Sequence, residues 1–182
     1  GVSAGSSAGQ ALARLNEVVQ RHLAQSSAQA RREHTHTELA PLANSLRTMF
    51  LKLHGARSLN LGFEVADDLA VACESDDLSE MLGNLIDNAC RAARGRVRLC
   101  ARSTDGGIRI DIEDDGAGLD DAALAQLGER GQRFDENAGS GLGVSISRDI
   151  AESYGGTLEF SLSELGGLRA RLQLPPMRKA PR

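Results

Sequence analysis

A two-layer α+β sandwich preceded by an N-terminal helical stub is the fold this chain predicts, and three observations carry it. Five runs read as strands: Leu59 to Val65, Val97 to Arg102, Ile108 to Glu113, Thr157 to Leu162 and Leu168 to Leu174. Between and before them, stretches near 38–54, 77–94, 119–127 and 142–154 have the apolar spacing of amphipathic helices. The 182 residues are 41% hydrophobic but only 3% aromatic, so the core must be built from Leu, Ile, Val and Ala. Strands of mixed direction with helices gathered on one face give such a layered α+β domain.

Taken in order, Gly1 to Gly9 is rich in Gly, Ser and Ala and reads as the flexible start of an excised fragment. Residues 10–31 read as a helix, with Leu12, Leu15, Val19 and Leu23 in a narrow apolar stripe flanked by Arg14, Glu17, Gln20 and Arg21. One helix cannot bury its own stripe, so this one must pack on the domain or on a partner. The 38–54 helix carries Pro41 in its first turn, where a missing N–H is harmless. A short strand is expected near Val71.

The 77–94 helix opens on an acidic turn. At roughly 100° per residue, Glu80, Asn84, Asn88 and Arg91 fall within an arc of roughly 80°. Leu78, Met81, Leu82, Leu85, Ala89 and Ala93 cover the opposite side. Two asparagines one turn apart are poor helix formers and add no charge. Their carboxamide oxygens suit a hard cation such as Mg²⁺, their NH₂ groups suit phosphate oxygens, and Arg91 adds a phosphate-matching fork.

The run Ile108 to Glu113 alternates, with Ile108, Ile110 and Ile112 on one face and Arg109, Asp111 and Glu113 on the other. One residue further, Asp114 falls on the isoleucine side. A carboxylate aimed into an apolar layer needs hydrogen-bond donors, and Asp115-Gly116-Ala117-Gly118 lets the chain turn sharply beside a ligand. Gly139-Ser140-Gly141-Leu142-Gly143 then opens the 142–154 helix, which Gly155-Gly156 terminates. A helix N-terminus is a natural seat for phosphate. Neither a Gly-Lys-Ser/Thr nor a strand leading into the glycines is present, so this is not a Walker or a Rossmann loop. Gly166-Gly167 reads as a hairpin turn, and the basic, proline-rich 175–182 as a disordered tail.

Composition excludes several classes. A net charge of -4 argues against broad nucleic-acid binding. No apolar run approaches membrane-spanning length and no signal peptide is visible. Cys73, Cys90 and Cys100 are odd in number and lack metal-ligand spacing, which points to free thiols, with Cys90 a small packed residue. His34 and His54 read as surface residues.

The three constellations, in this order, resemble the ATP-binding domain of the GHKL superfamily: sensor histidine kinases, the gyrase B subunit, MutL repair proteins and heat-shock chaperone ATPases. NLIDNACRAA is similar to the N box of histidine kinases, EDDGAG to the first glycine box, and GSGLGVSISRDIAESYGG to the second. ERGQRFD resembles PhoQ-type sensor kinases. The similarity spans roughly residues 37–174 and implies the Bergerat-type ATP-binding fold. It also implies residue roles. Asp114 accepts the adenine amine, partly through a water. Asn84 holds the Mg²⁺ that bridges the phosphates, and Asn88 and Arg91 contact the phosphates. Gly116 and Gly118 shape the pocket. Gly139, Gly141 and Gly143, with Leu142 among them, form the hinge of a lid and cradle the phosphates, and Arg133 reaches the phosphates from that lid. The sequence departs from the pattern at Gly128, where a phenylalanine is common, at 135–138, which lacks a second arginine, and at Arg91, where lysine is common.

Glu80 sits one turn before Asn84, where hydrolytic members keep a water-activating glutamate. Three roles stand open for it: a general base toward an incoming histidine, a group orienting Asn84, or a helix-surface acid. His36-Thr37-Glu38-Leu39-Ala40-Pro41 imitates a phosphoacceptor box, but too few residues separate it from the N box for a complete second hairpin helix. His22 lacks the pattern altogether.

The resemblance implies the catalytic, ATP- and Mg²⁺-binding part of a two-component sensor histidine kinase. Its γ-phosphoryl acceptor would be a histidine outside this chain, on the first helix of a dimerisation hairpin, with residues 10–31 as the second. Implied partners are a second copy, through those helices, and a response regulator; nucleic acid and membrane contact by this portion are not implied. The domain would be cytoplasmic, within an inner-membrane sensor. Two competitors are a hydrolytic GHKL ATPase with Glu80 as base, and a pseudokinase that signals through dimerisation.

Overall fold

The structure is a computed structural model that describes residues 36–120, 123–124 and 141–176. The expected stretches 1–9 and 10–31, most of the 119–127 helix, Arg133, Gly139, the 135–138 segment and the tail after Pro176 lie outside the described residues, as does the Leu142 side chain.

The elements are β1 (Thr37–Glu38), α1 (Leu39–Leu53), β2 (Asn60–Val65), β3 (Ala70–Val71), α2 (Ser75–Ala92), β4 (Arg96–Thr104), β5 (Gly107–Asp114), α3 (Gly141–Ser153), β6 (Thr157–Leu162) and β7 (Leu168–Leu174). Five strands form one sheet in the order β2-β4-β5-β7-β6. β2 and β4 run parallel and every other neighbour is antiparallel. β1 and β3 form a separate two-stranded ribbon. This is the expected mixed sheet with a helical layer.

Period-two alternation builds both faces. Val97 and Leu99 of β4, Ile110 and Ile112 of β5, and Ala170 and Leu172 of β7 are buried in one core with Leu39, Leu46 and Phe50 of α1, Met81, Leu82 and Ile86 of α2, and Ala151 of α3. The opposite face is a ladder of ion pairs in register. Asp111 opposes Arg171 and accepts from its Nε at 2.7 Å; Glu113 opposes both Arg98 and Arg169 and accepts from their Nε atoms at 2.9 and 3.0 Å. Directly opposed opposite charges of this kind fix strand register as well as adding stability. Burial alone would raise Glu113, but the Arg98 and Arg169 hydrogen bonds and charges hold its carboxyl below the usual range.

Most boundaries shift by one or two residues from expectation, and those of α2 bear on the site. α2 starts two residues earlier, taking Asp76 and Asp77 into its first turn, and ends two earlier because Ala93 turns extended. Its last turn is closed by Arg57, which donates to the carbonyls of Cys90 at 2.5 Å and Ala93 at 2.6 Å. A cation on the final carbonyls of a helix satisfies them and complements the helix dipole. At its start, the Tyr154 hydroxyl donates to Asp77 Oδ2 at 2.5 Å and accepts the Glu74 N–H at 3.3 Å. α3 ends at Ser153, and Gly155 just beyond it takes a φ of 72°, the left-handed conformation of a helix stop.

Candidate functional site

Asp114 is the last residue of β5, and strand parity aims it inward as the sequence predicts. It is 3% exposed. Its Oδ1 accepts the N–H of Gly116 at 2.8 Å and of Leu168 at 3.4 Å, while its own carbonyl accepts the Gly167 N–H at 3.1 Å. Burial pushes its carboxyl above the usual range; the two N–H groups partly offset this, and the neighbouring Asp115 charge adds to it. Among the described residues no hydrogen bond goes to Oδ2.

Glycine is required around this carboxylate for space. A Cβ at Gly116 would lie 2.5 Å from the Ala92 carbonyl and 2.7 Å from Asp114 Oδ1. A Cβ at Gly167 would fall on Asp114 Oδ1 and sit 2.5 Å from the Gly116 nitrogen. Gly118 takes a φ of 69°.

Asp115 has the opposite surroundings. Its Oδ1 accepts three successive backbone N–H groups, of Arg94, Gly95 and Arg96, at 2.8, 3.0 and 3.0 Å. Burial raises it, but those three N–H groups and Arg96 outweigh burial and hold the carboxyl below the usual range. The loop after α2 is thereby tied to the first glycine box.

On α2, Asn84 and Asn88 are half-buried while Glu80 and Arg91 are exposed. Asn84 Nδ2 is buried and has no hydrogen-bond partner among the described residues. α3 begins at Gly141, so Gly141, Leu142 and Gly143 of the second glycine box form its first turn. A Cβ at Gly143 would be 3.3 Å from Asn84 Cγ and Oδ1. The fully buried Ser147 donates to the Gly143 carbonyl at 2.8 Å, with the Met81 carbonyl 3.3 Å away, which seats α3 against α2. Arg91 Nη2 donates to Asp87 Oδ2 at 2.7 Å. Cys90 is fully buried as expected; burial first, then the Asp87 charge, push its thiol up to about 11.

Of the predicted residues, the structure brings Asn84 against Gly143, and Asp114 against Gly116. Gly118 adjoins the Gly166-Gly167 turn. Arg133 and Gly139 fall outside the described residues. One expectation is corrected: His54 is not a surface residue. It stacks on Phe50 at a centroid distance of 6.1 Å, and its Nε2 lies 3.3 Å from Asp87 Oδ1. Phe50 and His54 are one helical turn apart, so the apolar face of α1 carries the imidazole inward. Sequence reasoning also missed Gly167, Asp115, Arg57 and Ser147. The signal for Gly167 was a second glycine in a turn that needs only one.

Comparison with known proteins identifies the family and the fold. The sequence model of the family described as histidine kinase-, DNA gyrase B-, and HSP90-like ATPase matches residues 73–178. The sensor protein kinase CarS of Pseudomonas aeruginosa is 44% identical over 140 residues, covering 76% of this chain and 30% of CarS. The virulence sensor histidine kinase PhoQ of Salmonella typhimurium is 34% identical over 132 residues, covering 72% of this chain and 27% of PhoQ. The chain thus spans less than a third of either relative. Among solved structures, the catalytic domain of histidine kinase ThkA superposes with a TM-score of 0.69 at 21% identity, over 78% of this chain and 94% of that one, a likeness of fold. The ATP-binding domain of PrrB from Mycobacterium tuberculosis gives 0.65 at 25% identity, over 79% and 98%. Sensor histidine kinases are thus its relatives in sequence, and the chain belongs to the histidine kinase-, DNA gyrase B- and HSP90-like ATPase family.

Proposed function

We propose that the groove between α2, the first glycine box and the start of α3 binds Mg²⁺-ATP. In the longer protein it would present the γ-phosphoryl group to a histidine outside this chain. The observation that carries this is the Asp114 carboxylate, buried with Oδ1 held by backbone N–H groups and Oδ2 left to accept a ligand's N–H. The adenine amine supplies that donor, whereas a guanine presents a carbonyl at the same position and would meet the carboxylate as a second acceptor.

The phosphate tail fits the α2 face. The orphaned Asn84 amide is a buried polar group in need of a partner. Its Nδ2 would donate to a phosphate oxygen and its Oδ1 would hold Mg²⁺. Among the described residues no group of three or more His, Cys, Asp or Glu could hold a metal. That suits a Mg²⁺ carried mainly by phosphate oxygens and water. When bound, the ion neutralises charge shared by adjacent phosphates. Asn88 and Arg91 would donate to phosphate oxygens, and the N–H groups of Gly141, Leu142 and Gly143 in the first turn of α3 would add the field of the helix N-terminus. Arg133 and Gly139 would act from the lid.

Phosphoryl transfer asks mostly for positioning and charge neutralisation. Glu80, exposed one turn before Asn84, would serve as general base toward the incoming imidazole or would orient Asn84. The acceptor histidine would lie on a dimerisation hairpin shared with a second copy, and a response-regulator aspartate would receive the group next. Among the described residues no helix is long and apolar enough to cross a membrane. By its likeness to sensor kinases, the domain would lie on the cytoplasmic side of a membrane sensor.

Calorimetry of a non-hydrolysable ATP analogue, with and without Mg²⁺, tests the site. Wild type should bind more tightly with Mg²⁺. Asp114→Asn should weaken binding by roughly ten- to a hundred-fold, the worth of a hydrogen bond to a charged group. Unchanged affinity in that variant would overturn the adenine role.

A further inference from the structure

The polar arc of α2 contains one acid that nucleotide binding leaves without a task. Asp87 sits between Arg91 and the end of α1. Its Oδ2 accepts from Arg91 Nη2 at 2.7 Å, and its Oδ1 lies 3.3 Å from His54 Nε2. The three side chains grade from core to solvent: His54 is 14% exposed, Asp87 26% and Arg91 60%. His54 is fixed by its stack on the buried Phe50. Arg57, just beyond it, grips the carbonyls at the end of α2. One side of Asp87 is therefore anchored to the fold, and the other holds a guanidinium by a single nitrogen. Among the described residues no hydrogen bond leaves Arg91 Nε or Nη1.

Two effects of Asp87 on a phosphate ligand oppose each other. The ion pair narrows the rotamers of Arg91, which favours binding. An exposed pair of this kind is weak, so that help is small and fixed. Against it, the carboxylate competes for the guanidinium and repels the phosphate tail. The second effect grows with each phosphate charge, so it prevails for a di- or triphosphate.

We infer that Asp87, steadied by His54, is the resting partner of Arg91 and sets how readily that guanidinium is released to phosphate. The two are a positioning pair that tunes affinity for the polyphosphate tail, at the junction of α1 and α2. This rests on the proposed phosphate role of Arg91.

The test is calorimetric titration of the 182-residue chain with adenosine, ADP and a non-hydrolysable ATP analogue. It compares wild type, Asp87→Asn, His54→Phe, Arg91→Ala and the Asp87→Asn/Arg91→Ala double variant. Asp87→Asn should tighten ADP and the analogue by about three- to ten-fold, more for the analogue, and leave adenosine unchanged. A large part of that increase should vanish when Arg91 is absent, the mark of coupling between contacting residues. His54→Phe keeps the stack on Phe50 and should act in the same direction by about two-fold. An equal increase in both backgrounds would reduce Asp87 to bulk charge, and weaker binding in Asp87→Asn would make it an aiming device; either result overturns the inference. Full affinity in Arg91→Ala would strike the phosphate role of Arg91 itself, and this inference with it. Loss of binding by wild type would strike the nucleotide site as a whole.

Discussion

The two ends of the groove are built in different ways. At the β5 end, Asp114 is held by main-chain N–H groups, and glycines stand wherever a side chain would intrude. At the α2 end, the groups are side chains on one helix: among the described residues, Asn84 Nδ2 has no partner and Arg91 pairs only with a neighbour on its own helix. The difference teaches which end is set mainly by folding and which, on the proposed reading, awaits its ligand. A buried carboxylate is costly to leave unsolvated, so the fold satisfies Oδ1 of Asp114 in advance with main-chain N–H groups and leaves only Oδ2 open. A neutral amide left unpaired costs only about 1–3 kcal/mol, a sum the fold tolerates and that a phosphate oxygen would relieve on the proposed reading.

The largest expected effect strikes the finished end. Gly167→Ala puts a Cβ onto Asp114 Oδ1 and 2.5 Å from the Gly116 nitrogen, where the obstacles include backbone and cannot swing aside. Overpacking of this kind destabilises by about 1–3 kcal/mol or more. Thermal unfolding should show that loss, and nucleotide binding should disappear with it. Gly143→Ala is the counterpart at the other end. Its Cβ would meet the Asn84 side chain at 3.3 Å, which can yield by a few tenths of an ångström. Its stability loss should stay below about 1 kcal/mol, while binding weakens. Equal melting temperatures for the two variants would erase the distinction between the ends.

Asn84→Ala comes next and should separate binding from stability. It removes an unpaired buried amide, which is favourable, and some packing, which is not. The ligand-free protein should therefore keep its stability to within about 1 kcal/mol. Affinity for the ATP analogue with Mg²⁺ should fall by roughly ten-fold or more. A marked drop in the melting temperature of the ligand-free protein would show that Asn84 is already satisfied by the fold, and that the α2 end is as complete as the other.

The same contrast explains what could be read without coordinates. Strand parity placed Asp114 inward, and helical spacing placed Asn84, Asn88 and Arg91 along one polar arc, because both depend on local period alone. Gly167 escaped because its constraint is a carboxylate 53 positions earlier in the chain, brought near only by the β5–β7 pairing. His54 was misjudged for a related reason. A histidine at a helix end looks solvated until α2 is laid beside it with Asp87 opposite. Asp115 reads as a mere neighbour of Asp114, since nothing local shows that the N–H groups of Arg94, Gly95 and Arg96 converge on it. Tertiary donors are invisible to any periodicity.

The smallest effect lies within the finished end, between two adjacent acids. Asp114 is raised above the ordinary carboxylate value of about 3.9. The native state therefore binds its proton more tightly than the unfolded chain does, and stability falls as pH rises from that value through the folded one. Asp115 is lowered, so its contribution is present above about 3.9 and is lost as pH falls toward its folded value. Urea denaturation of the nucleotide-free protein at a series of pH values should resolve the two by difference. Relative to wild type, Asp114→Asn should become progressively more stable as pH rises above about 4. Asp115→Asn should lose stability relative to wild type as pH climbs toward about 4 from the acid side and then level off. Parallel curves for the two variants would mean that main-chain donors serve both carboxylates alike. The desolvated acid at the mouth of the groove would then have no ligand-seeking character to distinguish it from its neighbour.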